Sequence, residues 1–231
     1  MNNGWRNYFT KQEKMLWGCS VLAIVLSFLF FDRGSYTTLI ASLIGVTSLI
    51  FVAKGNPAGQ GLMILFSVFY GWISFTFAYY GEMVTYLGMT APMAIVALVS
   101  WLRHPYEGNK AEVKVDQIGR KESVGIVFMT AAVTVVFYFI LGYFHTANLL
   151  PSTVSVATSF LAAYLTFRRS PFYALGYAVN DIVLVILWIL AAWEDPSYSS
   201  VVVCFLAFLA NDIYGFISWR RMEQRQMKQF A

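Results

Sequence analysis

Charge is what this sequence has least of. Only 12% of its 231 residues are Asp, Glu, Lys or Arg, about half of the ~25% that an ordinary soluble domain carries. So little charge cannot clothe a water-facing surface of this size. Cysteine is scarce too: Cys19 and Cys204 are too few for a disulfide scaffold, and both lie in apolar runs where a small buried thiol is expected. Glycine shows no collagen-like period, and an aromatic content of 18% excludes a disordered chain. No lysine falls inside an apolar run, which excludes a retinal Schiff base. His104 and His145 sit at the ends of runs without a metal-ligand cluster, so neither a metal nor another cofactor is expected. There is no G-x-x-x-x-G-K-[ST] phosphate loop. No nucleophile elbow and no H-E-x-x-H pattern supports hydrolytic chemistry. The chain does not read as an enzyme.

What is present is apolar length. Hydrophobic residues make up 58% of the chain, and about 20 mostly apolar residues suffice for a helix to cross a bilayer. Eight stretches qualify, near 15–31, 35–53, 58–79, 83–102, 123–144, 149–167, 171–193 and 197–219. The sixth is the weakest, because it contains Ser152, Thr153, Ser155, Thr158 and Ser159. The first, preceded by Arg6, Lys11 and Lys14, resembles a signal-peptide core. It lacks a small-residue cleavage site and is followed by seven more spans, so it reads as retained. The expected fold class is an all-α polytopic membrane protein. With the N-terminus inside, the inner segments hold Arg6, Lys11, Lys14, Lys54, Arg103, Lys110, Lys114, Arg120, Lys121, Arg168, Arg169, Arg220, Arg221, Arg225 and Lys228. The outer segments hold Arg33 alone. That asymmetry places both termini in the cytoplasm and accounts for the net charge of +4 by orientation rather than by nucleic-acid binding.

The chain also repeats itself. Lys54-Gly55-Asn56-Pro57 opens a long apolar helix, a turn containing Glu82 follows, and a second helix ends in Ser100-Trp101-Leu102-Arg103. Further on, Arg168-Arg169-Ser170-Pro171 opens a helix, Glu194-Asp195 marks the turn, and Ser218-Trp219-Arg220-Arg221 closes the next. The surplus residues of the second copy fit in its outer turn. The preceding helices carry Thr47-Ser48 and Thr158-Ser159. Spans two to four therefore match spans six to eight in the same orientation, about 35–103 and 149–221. Span five, about 123–144, links them. Span one is an addition at the front, and 222–231 is a cytoplasmic tail on a single membrane domain, 1–221. Parallel three-helix repeats joined by a linker helix are a transporter plan, used by the sugar-carrying SWEETs, with substrate held near the midplane between repeats.

Ionisable residues within spans are costly and point to function. Two acids lie well inside: Asp181 and Asp212, each preceded by asparagine as Asn180-Asp181 and Asn211-Asp212. Both pairs lie about 11–15 Å from the inner edge, at a rise of about 1.5 Å per residue. Tyr177, Asn180, Asp181 and Trp188 share one helix face, as do Asn211, Tyr214, Gly215 and Ser218. In the first repeat Ser67, Tyr70, Gly71 and Ser74 do the same, and so do Tyr86, Thr90 and Met93. Converging stripes of this kind could sandwich a flat ring between aromatic faces and bind hydroxyls or an amide with Asn and Asp. Trp5, Trp17, Trp101, Trp193 and Trp219 lie near span ends and read as interfacial anchors. Trp72 and Trp188 lie deeper and read as site residues. Glu82, Glu194 and Asp195 read as solvated residues of the outer turns.

These residues carry a family resemblance. Tyr80-Gly81-Glu82-Met83, Ala91-Pro92-Met93 and Trp101 resemble the first repeat of the PnuC family of bacterial vitamin transporters. Ala178-Val179-Asn180-Asp181-Ile182 and Trp188 resemble its second repeat, as does Ala210-Asn211-Asp212-Ile213-Tyr214-Gly215-Phe216 running to Trp219-Arg220-Arg221. The resemblance covers about 35–221. It implies a SWEET-like fold and uptake of nicotinamide riboside by facilitated diffusion across the bacterial inner membrane, with the substrate trapped by a cytosolic kinase that feeds NAD biosynthesis. It also implies a homo-oligomer, a trimer. Relatives are thought to carry thiamine, riboflavin or deoxynucleosides. The chain departs from many members at Ala94, where they have Gln, and at Tyr86, near which they have Asn.

Nicotinamide riboside is a flat cationic ring with a carboxamide and a ribose, and the stripes suit it. Trp188 with Tyr177 or Tyr214 would flank the ring, and Asn180, Asn211 and Thr90 would bind polar groups. Asp181 or Asp212 would offset the charge, while Tyr86, Trp72, Ser67 and Tyr70 would complete the wall. A mononucleotide phosphate would meet no Arg or Lys within the spans. The rivals are a proton-coupled carrier using Asp181 or Asp212, a receptor or scaffold, and a membrane enzyme. The scaffold lacks a sizeable soluble domain, since the longest inner loop is about 103–122, and the enzyme lacks its catalytic groups.

Overall fold

A computed structural model describes residues 8–76, 80–146 and 148–229. Trp5 and Arg6, invoked above, lie outside them. Helix α1 spans Lys11–Phe31 and starts in a capping box, with the Thr10 hydroxyl and the Glu13 carboxylate each accepting the other's backbone N–H. Then come α2 (Tyr36–Ala53) and α3 (Pro57–Thr76). The latter opens on proline, whose missing N–H costs nothing at a first helical position. Helix α4 (Tyr80–Thr85), a π-turn (Tyr86–Thr90) and α5 (Ala91–Arg103) run on as one rod. Pro92 follows the π-turn one residue on, after Ala91. The wider turn relieves the clash between a proline ring and the carbonyl one turn back.

A short hairpin follows, β1 (Pro105–Tyr106) paired antiparallel with β2 (Asn109–Val113). Its turn places Glu107 and Gly108 at positive φ, as a two-residue hairpin loop requires. The remaining helices are α6 (Arg120–Tyr143), α7 (Leu149–Phe167), α8 (Tyr173–Glu194) and, after a 3-10 turn at Pro196–Tyr198, α9 (Ser199–Lys228). Counting α4 to α5 as one, eight helices among the described residues are long and apolar enough to cross a membrane. The protein is a multi-pass α-helical membrane protein. Their edges fall within a few residues of the expected ones, except that α9 continues to Lys228 through the segment read as a tail.

Six of the eight form a closed ring. Helix α2 packs on α3, α3 on α5, α5 on α7, α7 on α8, α8 on α9, and α9 back on α2. The first helix of each half thus meets the last helix of the other. Outside the ring, α1 lies against α2 and α9, and α6 lies mainly against α7. Most of the α6 surface is exposed, including Phe128, Val135, Phe139 and Tyr143, as befits a lipid-facing span.

The two turns on the basic face are built alike. Gly55 and Arg169 both have positive φ. In one turn Gly55 N–H donates to Val52 O and Asn56 N–H to Phe51 O. In the other, Arg169 N–H donates to Thr166 O and Ser170 N–H to Leu165 O. With Pro57 set against Pro171 these partners correspond one to one. The same register sets Ser48 opposite Ala162, so the Thr47-Ser48 and Thr158-Ser159 pairs are not equivalent positions.

Trp101 and Trp219 are not interfacial anchors. Both are fully buried. Trp101 Nε1 donates to Thr166 O at 2.8 Å and Trp219 Nε1 to Val52 O at 2.8 Å. Each caps the carbonyl end of the other half's first helix, where such carbonyls otherwise lack partners. Trp17 and Trp193 are exposed near helix ends, and Cys19, expected to be buried, is exposed on α1.

The segment after β2 straps both turns together. Val113 N–H donates to Gly55 O at 2.9 Å, and Asp116 N–H to Arg169 O at 3.1 Å. Gln226 of α9 accepts from Val115 N–H and donates to Val113 O. The Arg169 guanidinium reaches Ser100 Oγ, Lys114 O and Asp116. Burial disfavours its charge and lowers its pKa, while Asp116 opposes that shift.

Candidate functional site

The ring encloses a cavity near its middle, and every ring helix contributes to its wall. Leu49 comes from α2, and Met63 and Phe66 from α3. Glu82, Thr85, Tyr86 and Thr90 come from α4 and the π-turn. Ser155 and Ser159 come from α7, Tyr177, Asn180, Asp181 and Leu184 from α8, and Phe205, Phe208 and Asp212 from α9. The enclosed space is about 60 Å³, far below the ~300 Å³ at the lower end of small-molecule sites. In this conformation the site is closed around little more than its own side chains.

The wall is lopsided. In the proline register Asp181 corresponds to Ser67 and Asn180 to Phe66. In the tryptophan register, Asp212 corresponds to Ala94. The second half therefore supplies the polar wall, and the first supplies Met63, Phe66 and Tyr86 with Glu82 and Thr85 at one end. Among the described residues, no Lys, Arg or His lines the cavity. The Asp181 and Asp212 carboxyl groups face each other between α8 and α9. Asp181 Oδ2 is buried and has no hydrogen-bond partner among the described residues. Asn180 Oδ1 accepts from the hydroxyls of Ser155, Thr158 and Ser159 at 3.2, 2.8 and 3.0 Å. With its oxygen held by α7, the amide turns its N–H groups to the cavity as donors. The Ser and Thr content that makes α7 the weakest apolar span is thus its signature as a wall of the site.

The expected site residues divide into three groups. Tyr86, Thr90, Tyr177, Asn180, Asp181 and Asp212 come together in the cavity. Trp188 and Tyr70 instead line a separate vestibule of about 210 Å³ toward the end remote from the basic face, with Asp32, Ser74, Asp195 and Tyr198. Trp188 stands seven residues beyond Asp181, about 10 Å further along the helix, and its ring lies 5.4 Å from that of Tyr198. The Tyr70 and Tyr86 rings, 4.5 Å apart, separate vestibule from cavity.

The third group lies elsewhere. Asn211 Nδ2 donates to Ser20 Oγ at 2.9 Å and to Ala207 O, so it fastens α9 to α1. Tyr214 donates to Glu13 Oε1 at 3.1 Å, also on α1. Lys54 Nζ meets the same carboxylate at 3.1 Å. Asn211 and Tyr214, read as substrate-facing, therefore dock the extra helix, while Gly215 packs against Tyr173 and Ala174 of α8. Asp212, one residue and about 100° onward, faces the cavity. Ser67 is fully buried and donates to Met63 O within its own helix. Trp72 is 61% exposed on the outer surface of α3 and does not belong to the site.

Sequence reasoning missed several lining residues. Glu82 is the important one: it lies within α4, which already begins at Tyr80, and it lines the cavity instead of a solvated turn. Phe66, Phe208, Met63 and Thr85 carry no signal that separates them from ordinary core residues.

A closed ring of six helices from two like-built halves around a small polar chamber is the architecture of a membrane transporter. The chain's similarity to known proteins narrows this further. The model of the nicotinamide mononucleotide transporter family matches residues 35–221, and the chain belongs to that family. It is 26% identical over 233 aligned residues to the nicotinamide riboside transporter PnuC of Neisseria mucosa, covering 98% of this chain and 86% of that protein. Its fold matches the crystal structure of a vitamin B3 transporter PnuC with a TM-score of 0.82 at 23% identity, over 98% of this chain and 99% of the other.

Proposed function

We propose that this protein carries nicotinamide riboside into the cell across the bacterial cytoplasmic membrane, with both termini and the basic face inside. The observation that carries the reading is the wall formed by Asn180, Asp181 and Asp212 in a chamber that no basic side chain lines among the described residues. Donors from Asn180 suit the carboxamide or a ribose hydroxyl, and the unpartnered Asp181 oxygen suits a hydroxyl donor. The acids suit the positive ring, and Tyr86 or Tyr177 offers it an aromatic face. The relative from Neisseria mucosa, named for nicotinamide riboside, supports the choice.

Because the closed chamber is smaller than a nucleoside, entry requires Tyr70, Tyr86, Phe66 or Phe208 to swing aside. Rocking of the two halves then exposes the site to one face or the other. Transport runs down the gradient in this reading, and intracellular phosphorylation traps the product. The phosphorylated form is rejected, because its dianion would be desolvated among carboxylates. A trimeric assembly is part of this proposal.

Calorimetric titration of the purified chain in detergent with nicotinamide riboside, its mononucleotide, thiamine and riboflavin tests it. Micromolar binding of the riboside alone is the expected result. Binding of the mononucleotide, or of thiamine or riboflavin in its place, would overturn the substrate assignment.

A further inference from the structure

We infer that Glu82 is the residue that selects for positive charge on the transported ring, acting at the outer end of the cavity before the substrate reaches Asp181 and Asp212. The inference rests on the function proposed above and assigns charge selection to a residue outside the Asn-Asp pairs. Glu82 stands in the first turn of α4, the end remote from the basic face. Tyr177, near the start of α8, marks the opposite end of the same cavity. The chamber is therefore elongated along the helices, with acids at two levels. Tyr86 stands between the levels, within electrostatic reach of both Glu82 and Asp181.

The two acidic levels differ in kind. Asp181 and Asp212 come from adjacent helices and face each other. With Asn180 they form a hydrogen-bonding surface that a neutral ribose or amide can also use. Glu82 comes from the other half. Among the described residues its carboxylate takes part in no ion pair and no hydrogen bond, and no basic side chain lines the chamber. An isolated carboxylate in such surroundings gains from a cation and gains little from a neutral guest. The approach is graded accordingly. Asp32 and Asp195 line the vestibule, Glu82 stands toward that same end, one turn before Tyr86 on its rod, and the Tyr70 and Tyr86 rings, 4.5 Å apart, follow on the way to Asp181 and Asp212. A cationic ring meets the Glu82 countercharge as it reaches the tyrosines, whereas an uncharged ring of the same shape gains nothing there.

The test compares nicotinamide riboside with its reduced, uncharged dihydro form, titrated calorimetrically into the full-length protein and into Glu82→Gln and Glu82→Asp. The wild type is expected to prefer the cation. Glu82→Gln should weaken binding of the cation about tenfold or more while leaving the neutral form within about twofold, so that the preference collapses. Glu82→Asp, which keeps the charge and shortens the reach, should restore part of it. It carries the same comparison if the Gln variant does not fold. A preference unchanged in Glu82→Gln, or an equal loss for both forms, would overturn the inference while leaving the transport reading intact. Failure of the wild type to bind either riboside would instead overturn the transport reading, and this inference with it.

Discussion

Trp101 and Trp219 meet with ring centroids 5.3 Å apart, and each sends its indole N–H into the opposite half of the molecule. The contact is reciprocal. Trp101 ends the first half and caps α7, which begins the second half. Trp219 ends the second and caps α2, which begins the first. Tyr173 stacks edge-on against Trp219 at 4.9 Å, and Val52, Val113 and Met222 fill the space around them. This cluster closes the ring on its basic face and ties the two halves at one point.

Truncating either indole should therefore be costly. Trp101→Ala and Trp219→Ala are each expected to destabilise the protein by about 3–5 kcal/mol, the range for a large buried aromatic. Trp72→Ala, on the exposed surface of α3, should change stability by less than about 0.5 kcal/mol. Thermal unfolding of the three variants in detergent checks the contrast.

The two asparagines should separate binding from assembly. Asn180→Ala removes the amide held by α7 at the cavity wall and should weaken riboside binding by about 1–3 kcal/mol. Asn211→Ala should leave affinity within about twofold but loosen α1, whose Ser20 it holds at 2.9 Å. Calorimetry reads the first effect. Faster hydrogen exchange confined to α1 reads the second.

Glu13 joins α1, one of the two helices outside the ring, to the ring itself. Its carboxylate accepts from Thr10 N–H, Lys54 Nζ and Tyr214 Oη, and it is buried. Removing one partner of a buried ion pair strands the other. Glu13→Ala is expected to cost about 3 kcal/mol or more. A Glu13→Ala, Lys54→Ala double variant should cost less than the sum of the singles, which a thermal double-mutant cycle measures.

The strap between β2 and α6 should be a protease-resistant element. Lys114 lies within it and Arg169 holds it through Lys114 O at 3.1 Å and Asp116 at 3.1 Å. Limited trypsin digestion of the native protein should cut slowly after Lys114. Arg169→Ala, which removes the guanidinium, should speed that cut by about tenfold or more, as expected for an opening free energy lowered by at least ~1.4 kcal/mol. Equal rates in the two proteins would show that the strap is held by other contacts.

Much of this molecule was determined by its sequence alone. Scarce charge and eight long apolar runs dictate a polytopic membrane protein. Pro57, Pro171, Trp101 and Trp219 mark two like-built halves, and Asn180, Asp181 and Asp212 announce a polar chamber, because such groups are too costly to place within spans without use. Rotation of each helix about its axis was a matter for the tertiary structure. Periodicity states that Asn211 and Asp212 point about 100° apart, but which of them meets the cavity depends on what packs on either side of α9. The docking of α1 through Ser20 and Glu13 took Asn211 and Tyr214 out of the site. The closed ring, in which each last helix meets the other half's first, buried two tryptophans that resemble interfacial anchors along the chain. The early start of α4 and its π-turn brought Glu82 and Tyr86 inward. Each of these outcomes rests on contacts between residues far apart in sequence, and no local pattern encodes which helix will be the neighbour.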